Sequence, residues 1–311
     1  MTIQELQQRQ KWPFHHKIDH ALGTVEAFIA RTGKVPYVSF SGGKDSTVLL
    51  DMIRRFLKPD IKAVFCNTGN EFPEIVKFVR RTENVTVIRP EMTVRQMLEK
   101  YGFPLISKEQ AQYIWEVRHT KSERLLFQRL NGRPKGRYRA KISDRWKFLI
   151  NTPFEVSHKC CECLKKRPFR KYEKETGELP ILGMMANESD LRQHQYIKRG
   201  GCNAFEGKRP TSYPLSTWTD VDIWAYIKEF KAAYCEIYDI PGVRQTGCMF
   251  CGFGAHIEKT SRFARLRELH PKAYDIFMGY TNNGVTYREA LERIGVQLPD
   301  GPRQLDLFDE H

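Results

Sequence analysis

Two sets of residues in this 311-residue chain have the types and spacing to do chemistry. The first is residues 39–46, SFSGGKDS. Adjacent glycines, Gly42 and Gly43, permit a sharp turn and leave no side chain to hold an anion away. Lys44 brings a full positive charge, and Ser41 and Ser46 bring hydroxyl donors. Asp45 suits a helix cap or a share in holding a metal ion on bound phosphates. The second set is cysteine. Five of eight cysteines fall in two clusters, Cys160, Cys161 and Cys163, then Cys248 and Cys251 about 85 residues on. A CxxC bends the chain so that two thiolates reach one centre. Two distant clusters then supply four ligands to tetrahedral zinc or to an iron–sulfur cluster. Spacing alone leaves the metal open. It also leaves open whether Cys160 with Cys163, or Cys160 with Cys161, joins Cys248 and Cys251. Four thiolates carry four negative charges, which Lys159, Lys165, Lys166 and Arg167 could offset.

The elements around residues 39–46 read as strand, tight turn, helix. An apolar run at 35–40 precedes the glycines, and residues 47–56 place Val48, Leu49, Met52, Ile53 and Phe56 at helical spacing. N–H groups at such a helix start face an anion, and the helix dipole adds roughly half a positive charge. Further strands are expected at 61–66, 85–88 and 179–184. Helices are expected at 15–31, 74–81 with Pro73 in the first turn, 93–101, 144–151, 219–230, 258–278 and 287–294. Thr219 reads as an N-cap with Asp222 as its capping-box acid, and Cys66 reads as a core thiol. Strands alternating with helices predict an α/β fold: a doubly wound, mostly parallel sheet with helices on both faces, a basic insertion and a helical C-terminal region. In such sheets ligands bind beyond the carboxyl ends of strands, so Asn67, Thr68 and Gly69 are expected to border a nucleotide. The division expected is 1–235, with an insertion at about 105–150, and 236–311.

Hydrophobic content of 41% and charged content of 28% indicate a soluble globular protein. No apolar run approaches the roughly 20 residues of a membrane helix, and residues 1–17 lack an apolar signal core, so a cytoplasmic location and no membrane partner are expected. Cysteines there are metal ligands or thiols rather than disulfides. Net charge is +14. Residues 118–147 hold eleven Lys and Arg against Glu123 and Asp144, a local +9, which points to nucleic acid as a partner. Within them, 132–141 reads as a mobile loop or a nucleic-acid arm. Residues 301–311 read as frayed, with Leu305, Leu307 and Phe308 available to dock. His158, His256 and His270 read as surface or capping histidines.

SGGKDS is not the common nucleotide P-loop, which has four residues between its first glycine and its Gly-Lys pair. It resembles the pyrophosphate loop of the PP-loop ATP pyrophosphatases (adenine nucleotide alpha hydrolase-like). Added to it are NTGNEFPE at 67–74, a G-x-x-A-x-E-S-x-x-R pattern from Gly183 to Arg192, PLSTWTDVDIWAYI and TGCMFCGFG. A Cys-Cys pair with a distant CxxC in that order resembles the iron–sulfur-bearing branch of the phosphoadenylyl-sulfate reductase family, over roughly 35–255. The resemblance implies a 4Fe-4S cluster rather than zinc, with ATP and magnesium at the loop. It implies nucleotide contacts at Ser39, Ser41, Gly42, Gly43, Lys44, Asp45, Ser46 and Asn67. It also places Glu188 and Arg192 near the phosphates or the sulfur-bearing group, and gives Lys44, Asp45, Glu188 and Arg192 the catalytic work.

One departure stands out. The reductases of this family use a cysteine near their C-terminus as nucleophile, and the last cysteine here is Cys251. Reductase chemistry would need Cys202 or Cys235 in that role. The same branch includes DNA-phosphorothioation ATP pyrophosphatases. The reading is therefore an ATP pyrophosphatase-type adenylation coupled to iron–sulfur-assisted sulfur transfer onto nucleic acid. The alternatives are a sulfonucleotide reductase releasing sulfite, and a zinc-containing nucleic-acid-binding protein. A sulfur donor or electron donor protein, and a second copy in a homodimer, are further partners expected.

Overall fold

The computed structural model describes residues 1–133, 140–207 and 209–299. The tip of the basic loop expected at 132–141 and the docking residues Leu305, Leu307 and Phe308 lie outside the described residues. Two compact units divide the chain. The first comprises 1–67, 71–90 and 167–246, and the second 68–70, 91–166 and 247–311.

The first unit is built on a six-stranded sheet: β1 (Pro36–Ser39), β2 (Lys62–Cys66), β3 (Val85–Ile88), β4 (Leu179–Leu182), β5 (Asn203–Ala204) and β6 (Thr211–Ser212). The spatial order is β3-β2-β1-β4-β6-β5. All neighbours are parallel except β5 on β6. Alternation along β1 sends Val38 to one face and Tyr37 to the other. Val38 joins a core with Val25 and Phe28 of helix Phe14–Thr32, Val48 and Met52 of helix Lys44–Phe56, and Ile223 and Tyr226 of helix Asp220–Phe230. Tyr37 and Val64 pack with Tyr172 of helix Arg167–Thr176. Burial on both faces is the doubly wound arrangement expected.

Most expected elements form within a residue or two of their expected ends. Asp222 accepts from the Thr219 N–H at 2.7 Å, as the capping box requires. It also takes the buried Lys17 ammonium at 2.7 Å, tying the helix Phe14–Thr32 to this one. β5 and β6 have two residues each and escape a periodicity reading.

The second unit is mainly helical, with Val94–Tyr101, Lys108–His119, Glu123–Asn131, Arg262–Leu269, Pro271–Met278 and Tyr287–Arg293, and a small hairpin Thr281–Asn282/Val285–Thr286. The expected helix 258–278 is two helices. Pro271 lacks an N–H and cannot continue the first, so it begins the second. The expected helix at 144–151 is a 3-10 helix, Asp144–Asn151. Gly102 ends helix Val94–Tyr101 at φ +87°, and a Cβ there would stand 2.1 Å from the Glu155 carbonyl oxygen. Buried Asn282 donates to the Leu98 and Glu99 carbonyls, 2.9 Å each, and accepts from the Glu155 N–H at 2.8 Å. Among the described residues, no helix is long and apolar enough to cross a membrane.

Candidate phosphate loop and cysteine centre

Strand order reverses between β1 and β4, so their carboxyl ends flank the crevice where open α/β sheets take ligands. The glycine loop leaves β1 there. Gly42 sits at φ +71°, and a Cβ on it would come within 2.8 Å of Val79 and 2.9 Å of Ile75. Glycine is needed for both the turn and the close packing. Hydroxyls hold the turn. Ser46 Oγ accepts from the Ser41 N–H at 3.1 Å and donates to the Gly43 carbonyl at 2.9 Å. Ser41 Oγ accepts from the Gly43 N–H at 3.2 Å. The two serines therefore shape the loop as well as lining it.

Lys44 opens the helix Lys44–Phe56 and is 2% exposed. Its ammonium lies 2.8 Å from Asp220 and 3.1 Å from Asp45. Burial pulls its pKa down, but the two carboxylates outweigh burial and leave it raised. Asp45 is raised mainly by burial, with Lys44 opposing. The Lys44 N–H donates to the Tyr238 hydroxyl at 3.2 Å. Asp220, Tyr238 and Thr246 are residues that sequence reasoning missed. Asp220 stood inside a helix pattern, and no motif marked Tyr238 or Thr246.

β4 delivers the rest of this crevice. Past its end, Glu188 and Arg192 form an ion pair, and Glu188 accepts from the Met185 N–H at 3.1 Å. Burial lowers the Arg192 pKa and the nearby Asp45 charge opposes that. The first unit thus brings together Ser39, Ser41, Gly42, Gly43, Lys44, Asp45 and Ser46 on one loop, with Glu188 and Arg192 on the adjoining strand exit. Asn67 directly follows β2, its N–H donating to the Ile88 carbonyl at 2.9 Å. Thr68 and Gly69 belong to the second unit.

In the second unit, Cys160, Cys161, Cys248 and Cys251 line one cavity, walled by Pro104, Leu164 and Phe250 with Lys165 at its side. Cys163 is buried but does not line it. The Sγ atoms of Cys160 and Cys161 are 3.9 Å apart. The CxxC turn closes through the Cys251 N–H on the Cys248 carbonyl at 3.1 Å. Asn70, fully buried, accepts from the Met249 N–H at its carbonyl, 3.0 Å, and from the Phe250 N–H at its side chain, 3.2 Å. The tip of the NTGN stretch therefore grips the two residues between the cysteines. Gly252 must be glycine, because a Cβ would lie 2.5 Å from both the Pro104 carbonyl oxygen and the Tyr287 hydroxyl.

Positive charge surrounds the thiols, though not wholly as expected. The Cys161 thiol is pushed down, first by the hydrogen bond from Cys160 and then, against burial, by Lys108, Lys165 and Lys166. Arg262 donates to the Cys251 carbonyl at 3.0 Å. Lys159 instead lies over the Trp115 ring, 5.9 Å from its centroid. Four thiols facing one cavity suit a sulfur-ligated metal centre. Thiolates around a single tetrahedral zinc stand about 3.8 Å apart, as Zn–S bonds of roughly 2.3 Å require. Among the described residues, no three His, Cys, Asp or Glu side chains converge to hold one ion.

Basic residues 118–147 are only partly available to a partner. Arg118 pairs with Glu155 at 2.9 Å and Arg129 with Glu116, both arginines largely covered. Lys147 and Lys141 share Asp144. Lys135, Arg137 and Arg139 lie outside the described residues. His256 meets Trp146 edge-on at 4.9 Å and His158 is lowered mainly by burial, both packed as ordinary side histidines.

A family model described as phosphoadenosine phosphosulfate reductase domain matches residues 35–135 and 129–252. An uncharacterised protein of Methanocaldococcus jannaschii is 27% identical over 235 residues, 75% of this chain and 39% of that protein. A second from the same organism is 25% identical over 76% of this chain and 45% of its own length, so the chain spans under half of these relatives. An adenosine 5'-phosphosulfate reductase of a Geobacillus species is 26% identical over 250 residues, 79% of this chain and 85% of that one. The crystal structure of a phosphoadenylyl-sulfate reductase from Candida auris, a phosphate complex, aligns with a TM-score of 0.44 at 16% identity, covering 76% of this chain and 93% of that chain.

Proposed function

The chain belongs to the phosphoadenosine phosphosulfate reductase domain family, and from that premise we propose that it is an ATP pyrophosphatase-type sulfur-transfer enzyme acting on nucleic acid. The loop at 39–46 takes the β and γ phosphates of ATP with magnesium. An oxygen of the substrate attacks the α phosphorus, forming a substrate–AMP ester and releasing pyrophosphate. Lys44 leaves its carboxylates for the phosphates and stabilises charge on the departing pyrophosphate. Arg192 meets the α phosphate, held by Glu188. Hydrosulfide released by a sulfur-donor protein then attacks the activated substrate atom; the bond from that atom to the adenylated oxygen breaks, AMP leaves with that oxygen, and the sulfur stays on the substrate.

The observation that carries this reading over reduction is the state of two thiols. Cys202 and Cys235 are 7% and 1% exposed. Burial pushes Cys202 up to about 11 and raises Cys235 as well. A nucleophilic cysteine needs the opposite, an accessible site with a lowered pKa. The reductase reading draws its own support from the relatives named adenosine 5'-phosphosulfate reductase.

Cys160, Cys161, Cys248 and Cys251, which line one cavity, would hold a 4Fe-4S cluster. Bound there, the cluster supplies one-electron chemistry or a site for sulfur. Lys108, Lys165 and Lys166 favour the thiolate forms the cluster needs. The basic segment 118–147 would contact nucleic-acid phosphates, largely without reading sequence.

Anaerobically purified protein is tested with ATP and magnesium, then with adenylyl and phosphoadenylyl sulfate. AMP and pyrophosphate formation, stimulated by nucleic acid, supports adenylation. Sulfite release from a sulfonucleotide, with no pyrophosphate from ATP, replaces it with reduction.

A further inference from the structure

A tyrosine hydroxyl already takes the first N–H of the helix that follows the glycine turn. The Lys44 N–H, the first of its helix, donates to Tyr238 Oη at 3.2 Å. That hydroxyl is tied to Thr246 Oγ1 at 2.8 Å. Both crowd the loop. A Cβ on Gly43 would stand 3.2 Å from Tyr238 Oη and 3.3 Å from Thr246 Oγ1. Tyr238 rides on the short turn Glu236–Asp239, whose Glu236 is paired to Lys77 at 3.1 Å. Its ring meets Trp224 edge-on, with centroids 6.2 Å apart.

A helix-start N–H beside a glycine turn is the donor that a phosphate oxygen would take. Left bare and partly buried, it would be an unmet donor. A neutral hydroxyl meets it without adding charge beside Asp45 and Asp220, which hold the Lys44 ammonium nearby. A pyrophosphate group carries several negative charges and several acceptors, so it outcompetes the hydroxyl at the same N–H while drawing Lys44 from the carboxylates.

We propose that Tyr238, backed by Thr246, is a built-in stand-in for a phosphate oxygen, and that a pyrophosphate-bearing ligand displaces it from the Lys44 N–H. The proposal rests on the loop being the phosphate site. It makes Tyr238 a competitor for the Lys44 N–H that sets a threshold weak anions do not pass.

Magnesium pyrophosphate is titrated calorimetrically into the full chain, with AMP as the ligand lacking a pyrophosphate group. Tyr238→Phe removes only the hydroxyl, so its loop enters the bound state without breaking that bond. Pyrophosphate should bind it about three- to tenfold tighter than wild type, the worth of one hydrogen bond. Thr246→Val, which frees the hydroxyl from its tether, should shift affinity the same way by less. Pyrophosphate should also change wild-type tryptophan emission, and Trp224→Phe should remove most of that change. Equal or weaker binding by Tyr238→Phe overturns the stand-in, weaker binding making the hydroxyl a ligand of the anion. Lys44→Ala separates the two readings. If wild type binds and Lys44→Ala does not, the phosphate site stands and Tyr238→Phe decides the stand-in alone. If wild type binds no pyrophosphate, the phosphate site falls and the stand-in with it.

Discussion

Gly183, the first residue past β4, lies against the start of the phosphate-loop helix: a Cβ on it would be 3.1 Å from the Asp45 carbonyl oxygen and 3.1 Å from Ser46 Cα. Both neighbours are backbone, which cannot rotate away. The two strands flanking the switch point are thus locked together at the point where they deliver the loop and Arg192. Gly183→Val should therefore cost about 1–3 kcal/mol of stability, seen as a lower urea midpoint, and under the proposed function should weaken ATP binding. An unchanged midpoint would mean that β4 can shift without disturbing the loop.

Lys44→Gln removes the cation between Asp45 and Asp220. Under the proposed function, ATP cleavage should fall about 100- to 1,000-fold. Stability should respond to pH as well. Burial already holds the Asp45 carboxyl above its usual range, and loss of Lys44 raises it further. A carboxyl raised on folding binds its proton more tightly in the folded state. It stabilises the fold at low pH, and that contribution is lost as pH rises through the folded pKa. The variant should thus lose more stability than wild type as pH rises from about 4, the ordinary carboxyl value, to about 8, measured by urea unfolding across that range.

If the proposed cluster is present, single Cys→Ser changes at 160, 161, 248 and 251 should each lower iron and sulfide in anaerobically purified protein. Cys163→Ser should leave both near wild type, because Cys163 does not line the cavity. Metal loss in Cys163→Ser equal to that in Cys161→Ser would restore the grouping of Cys160 with Cys163.

Asn70→Ala deletes the acceptor for the Phe250 N–H inside the CxxC turn. The thiols remain, so iron should still load. Under the proposed cluster assignment, the variant should nonetheless lose metal faster to a chelator, followed by the decay of visible absorbance. Equal decay rates would show that the turn holds its shape without Asn70.

Cys202 should resist iodoacetamide in the folded protein at pH 8 and become reactive only as pH approaches 11, since its thiol is buried and pushed up to about 11. Cys202→Ser and Cys235→Ser should retain ATP cleavage. Loss of sulfonucleotide turnover in either would make that thiol the nucleophile after all.

The sequence by itself determined the glycine turn at 39–46, because glycine freedom, a lysine and serine hydroxyls act within a few residues of one another. It also determined the main strands and helices of the first unit, whose apolar periodicity is local. Only the tertiary structure decided which cysteines face one cavity, since Cys160, Cys161 and Cys163 stand within four residues and differ by the direction each side chain takes. Asp220, Tyr238 and Thr246 reach Lys44 and Gly43 from 176 to 203 residues away. Asn70 reaches Phe250 across 180 residues. A side chain that acts on a loop so distant in sequence leaves no spacing to read, because the fold, not the chain, sets the distance between them.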